Sequence, residues 1–164
     1  MKKSALIIIC IYLSACNGDG NDSELQGNWI TKSCEQATER LGSHEGKYCK
    51  GIYAFTSANT LTSSIQFYSG AACDVATDKL EPSSSGKPIT YSDLGVVTLQ
   101  EGIGGSQLNL ILPVQDAPVT IEGFYTLTSG ELCFSDNMNF NVYSFSSSSS
   151  ETDSIDFEKC LVKM

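Results

Sequence analysis

Short runs of β-branched and aromatic residues, each stopped by Gly, Ser, Asn or Pro, recur from residue 28 to the last residues of this chain. They fall at 28–33, 51–57, 61–68, 95–100, 107–112, 119–127, 131–135, 140–145 and 154–162. Segments of this length and composition suit half-buried strands, and they are too short and too β-branched for a helical bundle. Thr128-Ser129-Gly130 separates two of the runs and Ser57-Ala58-Asn59-Thr60 two others, where hairpin turns belong. Eight or nine strands at this spacing predict an all-β domain, an antiparallel barrel or a sandwich.

One short helix is expected near residues 34–41, between the first two strands. Ser33 stands in the capping position, Gln36 three residues on, and Gly42 just past the end. Residues 78–88, which contain EPSSSGKP, read as a surface loop, and the five serines at 146–150 as a loop tip. Gly102-Ile103-Gly104-Gly105 reads as a hairpin turn, since no Lys-Ser/Thr follows it to cradle a phosphate.

The first residues have a different character. Lys2 and Lys3 precede an almost unbroken apolar run from Ala5 to Leu13, and small residues Ser14 and Ala15 precede Cys16. The run is far shorter than the roughly 20 residues a spanning helix needs, so it reads as the apolar core of an export signal. Leu13-Ser14-Ala15-Cys16 resembles the lipobox of bacterial lipoproteins at all four positions. That resemblance implies cleavage after residue 15 and lipid attachment at Cys16. It makes 1–15 a signal peptide, 16–24 a lipidated cysteine with a polar tether, and 25–164 a single β domain. Asn17, rather than Asp, implies delivery to the outer membrane, and the expected location is the cell envelope.

Loss of Lys2 and Lys3 lowers the basic count from 10 to 8 against 19 acids, a formal charge of −11. A surface this acidic excludes nucleic acid as a partner, because phosphate contacts need a basic face. The membrane is expected as a partner through the lipid on Cys16. Loss of Cys10 and acylation of Cys16 leave five cysteines, 34, 49, 73, 133 and 160, in an oxidising compartment. Two bridges and one odd thiol follow. Cys133 alternates with its apolar neighbours on the face of Glu131, and Cys160 shares the face of Asp156 and Glu158. Antiparallel neighbours would bring those two within bridging reach, so Cys133–Cys160 is expected. Of the rest, Cys34–Cys73 is preferred to Cys34–Cys49, which makes Cys49 the odd thiol.

Leu25-Gln26-Gly27-Asn28-Trp29 contains a Gly-x-Trp that resembles the start of the first strand in lipocalins and related calycins. The resemblance implies a calycin-like barrel whose lower end Trp29 closes. A Gly-x-Trp followed by a cysteine, with a later Leu-Cys-Phe and a final cysteine, is also similar to small bacterial lipoproteins.

No residue is assigned a catalytic role. The sole histidine, His44, sits in the polar stretch Ser43-His44-Glu45-Gly46-Lys47 and reads as a solvated loop residue. Gly104-Gly105-Ser106 lacks the second glycine of a nucleophile elbow. Cys34, His44 and Cys49 bracket one loop, but oxidised cysteines are not ligands, so neither a metal nor a cofactor is expected. The reading is a membrane-anchored lipoprotein that holds a small apolar ligand in its barrel, through residues the sequence does not identify. The alternative is a structural or protein-interaction lipoprotein of the envelope, an enzyme inhibitor included.

Overall fold

The computed structural model describes residues 24–80, 88–99, 102–113, 117–141, 145–147 and 154–164. Cys10, Cys16 and the rest of 1–23 lie outside them, as do 81–87 of the expected loop, 142–144 of an expected strand and 148–150 of the serine run. Among the described residues there are twelve strands: β1 (Gly27–Thr31), β2 (Glu35–Gln36), β3 (Tyr48–Phe55), β4 (Thr60–Tyr68), β5 (Ala76–Leu80) and β6 (Ile89–Thr98) in the first half. β7 (Gly104–Leu112), β8 (Val119–Thr128), β9 (Glu131–Phe134), β10 (Met138–Phe140), β11 (Phe145–Ser147) and β12 (Leu161–Lys163) complete it.

Eight of them close an antiparallel barrel in the order β1-β3-β4-β6-β7-β8-β9-β12 and back to β1. Alternation along each strand sends one face inward. On β7, Leu108 and Leu110 are fully buried, and on β8, Ile121, Gly123 and Tyr125 are buried opposite them. The strands are strongly staggered. β3 and β4 share eight paired positions, whereas β4 meets β6 only at Thr60↔Thr90 and Leu61↔Ile89. The far half of the β3–β4 hairpin therefore extends beyond the barrel, where β2 and β5 pair with its two edges.

Strict antiparallel order sorts the connections into two ends. The start of β1, the end of β12 and the turns β3–β4, β6–β7 and β8–β9 all fall at one, here called the hairpin end. Tight turns suit it. Ser129 and Gly130 both have positive φ, 55° and 81°, as a two-residue type I′ turn requires. Asn59 (φ 57°) closes a three-residue loop in which Thr56 N–H donates to Thr60 O at 2.9 Å and Asn59 N–H to Thr56 O at 3.0 Å. Gly102 repeats that pattern between Leu99 and Ile103. Gly104 and Gly105, expected in a turn, lie on β7. Longer connections gather at the opposite, connection end.

The helix expected at 34–41 is absent. Glu35 and Gln36 pair with Cys49 and Tyr48 as β2, and the ladder continues through Ala37 N–H to Lys47 O at 2.7 Å. Ser33 Oγ meets the Glu35 carboxylate instead of capping a turn. A 3-10 segment, Glu39–His44, follows and is broken by Gly42 at φ 53°. Pairing with β3 satisfies the same backbone groups a helix would have used, and it places Ala37 and Leu41 against Cys49, Ile65 and Phe67 in a small second core.

Other expectations are also corrected. Residues 76–80 form β5, although every one of its side chains is exposed. Phe140 and Phe145, expected on one strand, lie on two, β10 and β11, and pair with each other in antiparallel register. The run 154–162 holds one bridge, Ser135↔Ile155, then a turn, and only Leu161–Lys163 as strand.

Candidate functional site

What fills the barrel determines where a partner can bind. Phe55, Phe134 and Phe140 sit at its centre, with Phe134 and Phe140 stacked at 4.0 Å and Tyr53 edge-on to Phe140 at 5.0 Å. Phe140 belongs to β10, which enters the core from the connection end. A serine and a glycine let it in. Ser135 Oγ accepts from Phe124 N–H and donates to Asn137, so the chain turns sharply after β9. Gly123 leaves room for Met138, whose Sδ lies 2.7 Å from where a Cβ on Gly123 would stand. Tyr53 Oη then donates to Asn141 O at 2.5 Å, and burial pushes its phenol pKa far above the usual value. Burying side chains of this size stabilises by roughly 1.5–3 kcal/mol each, and the same volume is lost to a ligand.

At the hairpin end the barrel is closed by Leu25 and Trp29, both fully buried, with Trp29 Nε1 donating to Leu25 O at 2.7 Å. Lys163 lies over the indole at 5.4 Å, a basic partner that nothing in the sequence singled out.

A concavity opens at the connection end. A cleft of about 330 Å³ opens between the end of β1, the plug strand β10 and the turn before β12. Thr31, Phe140 and Cys160 form its buried floor; Lys32, Glu35, Glu158 and Lys159 form its rim. Lys32 is paired with Glu131 at 2.6 Å and Lys159 with Asp156 at 2.8 Å. The Lys159 hydrogen bond holds the Asp156 carboxyl below the usual range, despite some desolvation, with the Glu158 N–H adding to it. Asn139 also lines the cleft, and its Oδ1 is buried without a hydrogen-bond partner. The rim balances two cations against two anions, which suits a polar surface more than one ionic ligand.

Two disulfides frame this end. Cys133 bridges Cys160 across β9 and β12, beside the Leu132↔Leu161 pair, with Cα atoms 4.2 Å apart. Both cysteines lie on the face of Glu131, as expected, while Leu132, Phe134 and Leu161 turn into the core. They are nevertheless buried, with Cys160 Sγ packed against Asp156 O and Phe157 O, because Asp156 and Glu158 belong to a turn rather than to a strand. Cys34 bridges Cys73 over a Cα separation of 6.0 Å, stapling the β2–β5 extension. Cys49 stays outside both bridges, buried in the second core with Sγ 3.5 Å from Glu35 O.

Among the described residues one group has metal-ligand types in reach of one another, Glu131 with Cys133 and Cys160, but its sulfurs are already bonded together. Cys34 is likewise taken up in its bridge to Cys73. His44 is half-buried rather than fully solvated: its ring stacks on Phe67 at 4.2 Å and its Nδ1 is buried. Phe67 could not be connected to it from sequence, since the two are brought together only by the β3–β4 extension.

Fold and site together define a closed eight-stranded antiparallel barrel, filled by its own aromatic side chains and bearing a disulfide-stapled extension. Compared with protein families, curated proteins and solved structures, the chain matches none.

Proposed function

We propose that this chain is an envelope lipoprotein, held by lipid on Cys16 at the outer membrane, whose barrel presents its connection end to a protein partner. The observation that carries the choice is the filled interior. Phe55, Phe134 and Phe140 occupy the axis where a carrier would keep its cargo, so the small-ligand reading loses its site. The surface offered instead combines the cleft, the exposed ring of Phe157 and the stapled extension. Exposed aromatics beside polar, ion-paired rims are features of protein interfaces, and disulfides keep such a surface preorganised. An inhibitor of an enzyme would be one form of this role.

Native mass spectrometry of the lipidated protein tests it. The expected native mass is that of the chain with its acyl groups and two disulfides. A stoichiometric extra apolar molecule, released on denaturation, would return the function to ligand carriage.

A further inference from the structure

The two ends of the barrel differ in chemistry as well as in turn length. Charged side chains crowd the extension at the connection end, where Glu39, Glu45, Asp74, Asp78 and Lys79 are all exposed. The β6–β7 hairpin, which projects at the other, has no charged side chain among its described residues from Leu94 to Gln107. It is also apolar where it is most exposed. Val96 is 87 % exposed and Leu94 53 % exposed.

The chain enters the domain beside this hairpin. Glu24 and Val96 line one shallow depression of about 170 Å³, together with Tyr125 and Ser106. Only seven residues, 17–23, separate Glu24 from Cys16. In any conformation eight peptide steps reach at most roughly 28 Å. An acyl group on Cys16 therefore holds the hairpin end, where Glu24 lies, within roughly 28 Å of the lipid surface.

We propose that the β6–β7 hairpin rests on the bilayer that anchors Cys16, with Val96 and Leu94 in the boundary between headgroups and acyl chains. The inference depends on the lipid-anchor reading and adds an orientation to it. Two apolar side chains would not hold a free protein on a membrane. Tethering makes their contact intramolecular, at a high effective concentration, so a weak contact suffices to choose one face. The connection end, with its cleft, then faces away from the lipid.

Depth-dependent quenching tests this with the full lipidated protein in phosphatidylcholine vesicles whose acyl chains carry bromine near the glycerol. Val96→Trp places a reporter on the hairpin, and Val75→Trp places one in the exposed β4–β5 loop at the opposite end. Buried Trp29 supplies a constant background, subtracted from the unsubstituted protein. The Val96→Trp reporter should lose about half of its added emission, as expected within the outer 5–10 Å of a leaflet, and Val75→Trp should lose none. If the protein floats with the vesicles and neither reporter is quenched, or both are equally, the docking is wrong and the anchor stands. If the protein does not float and the peptide containing Cys16 has no acyl mass, the anchor reading fails and this inference with it.

Discussion

The ring of Phe140 stacks 4.0 Å from that of Phe134, and this contact ties the plug strand β10 to the barrel wall at β9. The plug is thereby part of the core rather than a cover over it. Phe140→Ala should cost about 3–5 kcal/mol, the usual toll for a buried aromatic, seen as a lower midpoint in chemical denaturation. The variant should also bind a small apolar solute that the parent excludes, detectable as a ligand-dependent rise in melting temperature.

Gly123 and Met138 form a second such pair. A methyl on Gly123 would stand 2.6 Å from Met138 Cε and 2.7 Å from Ser135 Oγ, so something must shift. Gly123→Ala should destabilise by about 1–3 kcal/mol. Adding Met138→Ala should cost less than the sum of the two single changes, because the second removes the Met138 part of the clash; a double-mutant cycle by denaturation measures the difference.

The two disulfides should separate under hydrogen exchange. Each closes a loop, of 39 residues for Cys34–Cys73 and 27 for Cys133–Cys160, for which chain entropy predicts about 3–4 kcal/mol. Cys34→Ser with Cys73→Ser should expose amides of β2 and β5 while the barrel stays protected. Cys133→Ser with Cys160→Ser should lower protection throughout, since β12 closes the barrel between β9 and β1.

Asp156 should confer an acid-side pH dependence. Its carboxylate accepts from Lys159 and from Glu158 N–H, and its folded pKa is depressed below the unfolded value. The stability it contributes is therefore present above the unfolded carboxylate pKa and lost as pH falls through the folded one. Compared with Asp156→Asn, the protein should be more stable by a constant margin at neutral pH, and that margin should shrink only below the ordinary carboxylate range.

The β8–β9 turn can be improved. Ser129 holds φ 55°, a conformation costly for a residue with a Cβ, in front of Gly130. Ser129→Asn, which completes the Asn-Gly pair favoured in type I′ turns, should raise stability by about 0.5–1 kcal/mol in thermal unfolding.

What could be read from the sequence was what local chemistry controls. Period-two apolar runs mark strands because side chains alternate across a pleat, and β7 and β8 lie where their runs lie. The Ser129-Gly130 turn was legible for the same reason, since φ preference belongs to the residue. Residues 33–42 show the limit: a capping pattern that suits a helix was overridden by the edge of β3, which supplied partners for Glu35 and Gln36. β5 was invisible because a strand with no buried side chain has no pattern; the open edge of β4 makes it one.

Tertiary structure alone decided that the barrel is full and which end is open. Closure needs eight registers to agree around a ring, and the stagger that results sets β6–β7 beyond one rim and β2 to β5 beyond the other. Phe140 reaches the core because Gly123 has no side chain to meet Met138 and because Ser135, bonded to Phe124 N–H, turns the chain inward, contacts made across 15 and 11 residues of sequence. The sequence determined the strands and their punctuation, since those follow from each residue's own backbone and hydration preferences. Interior volume, the buried disulfide face and the placement of the cleft are properties of long-range packing, which no local pattern encodes.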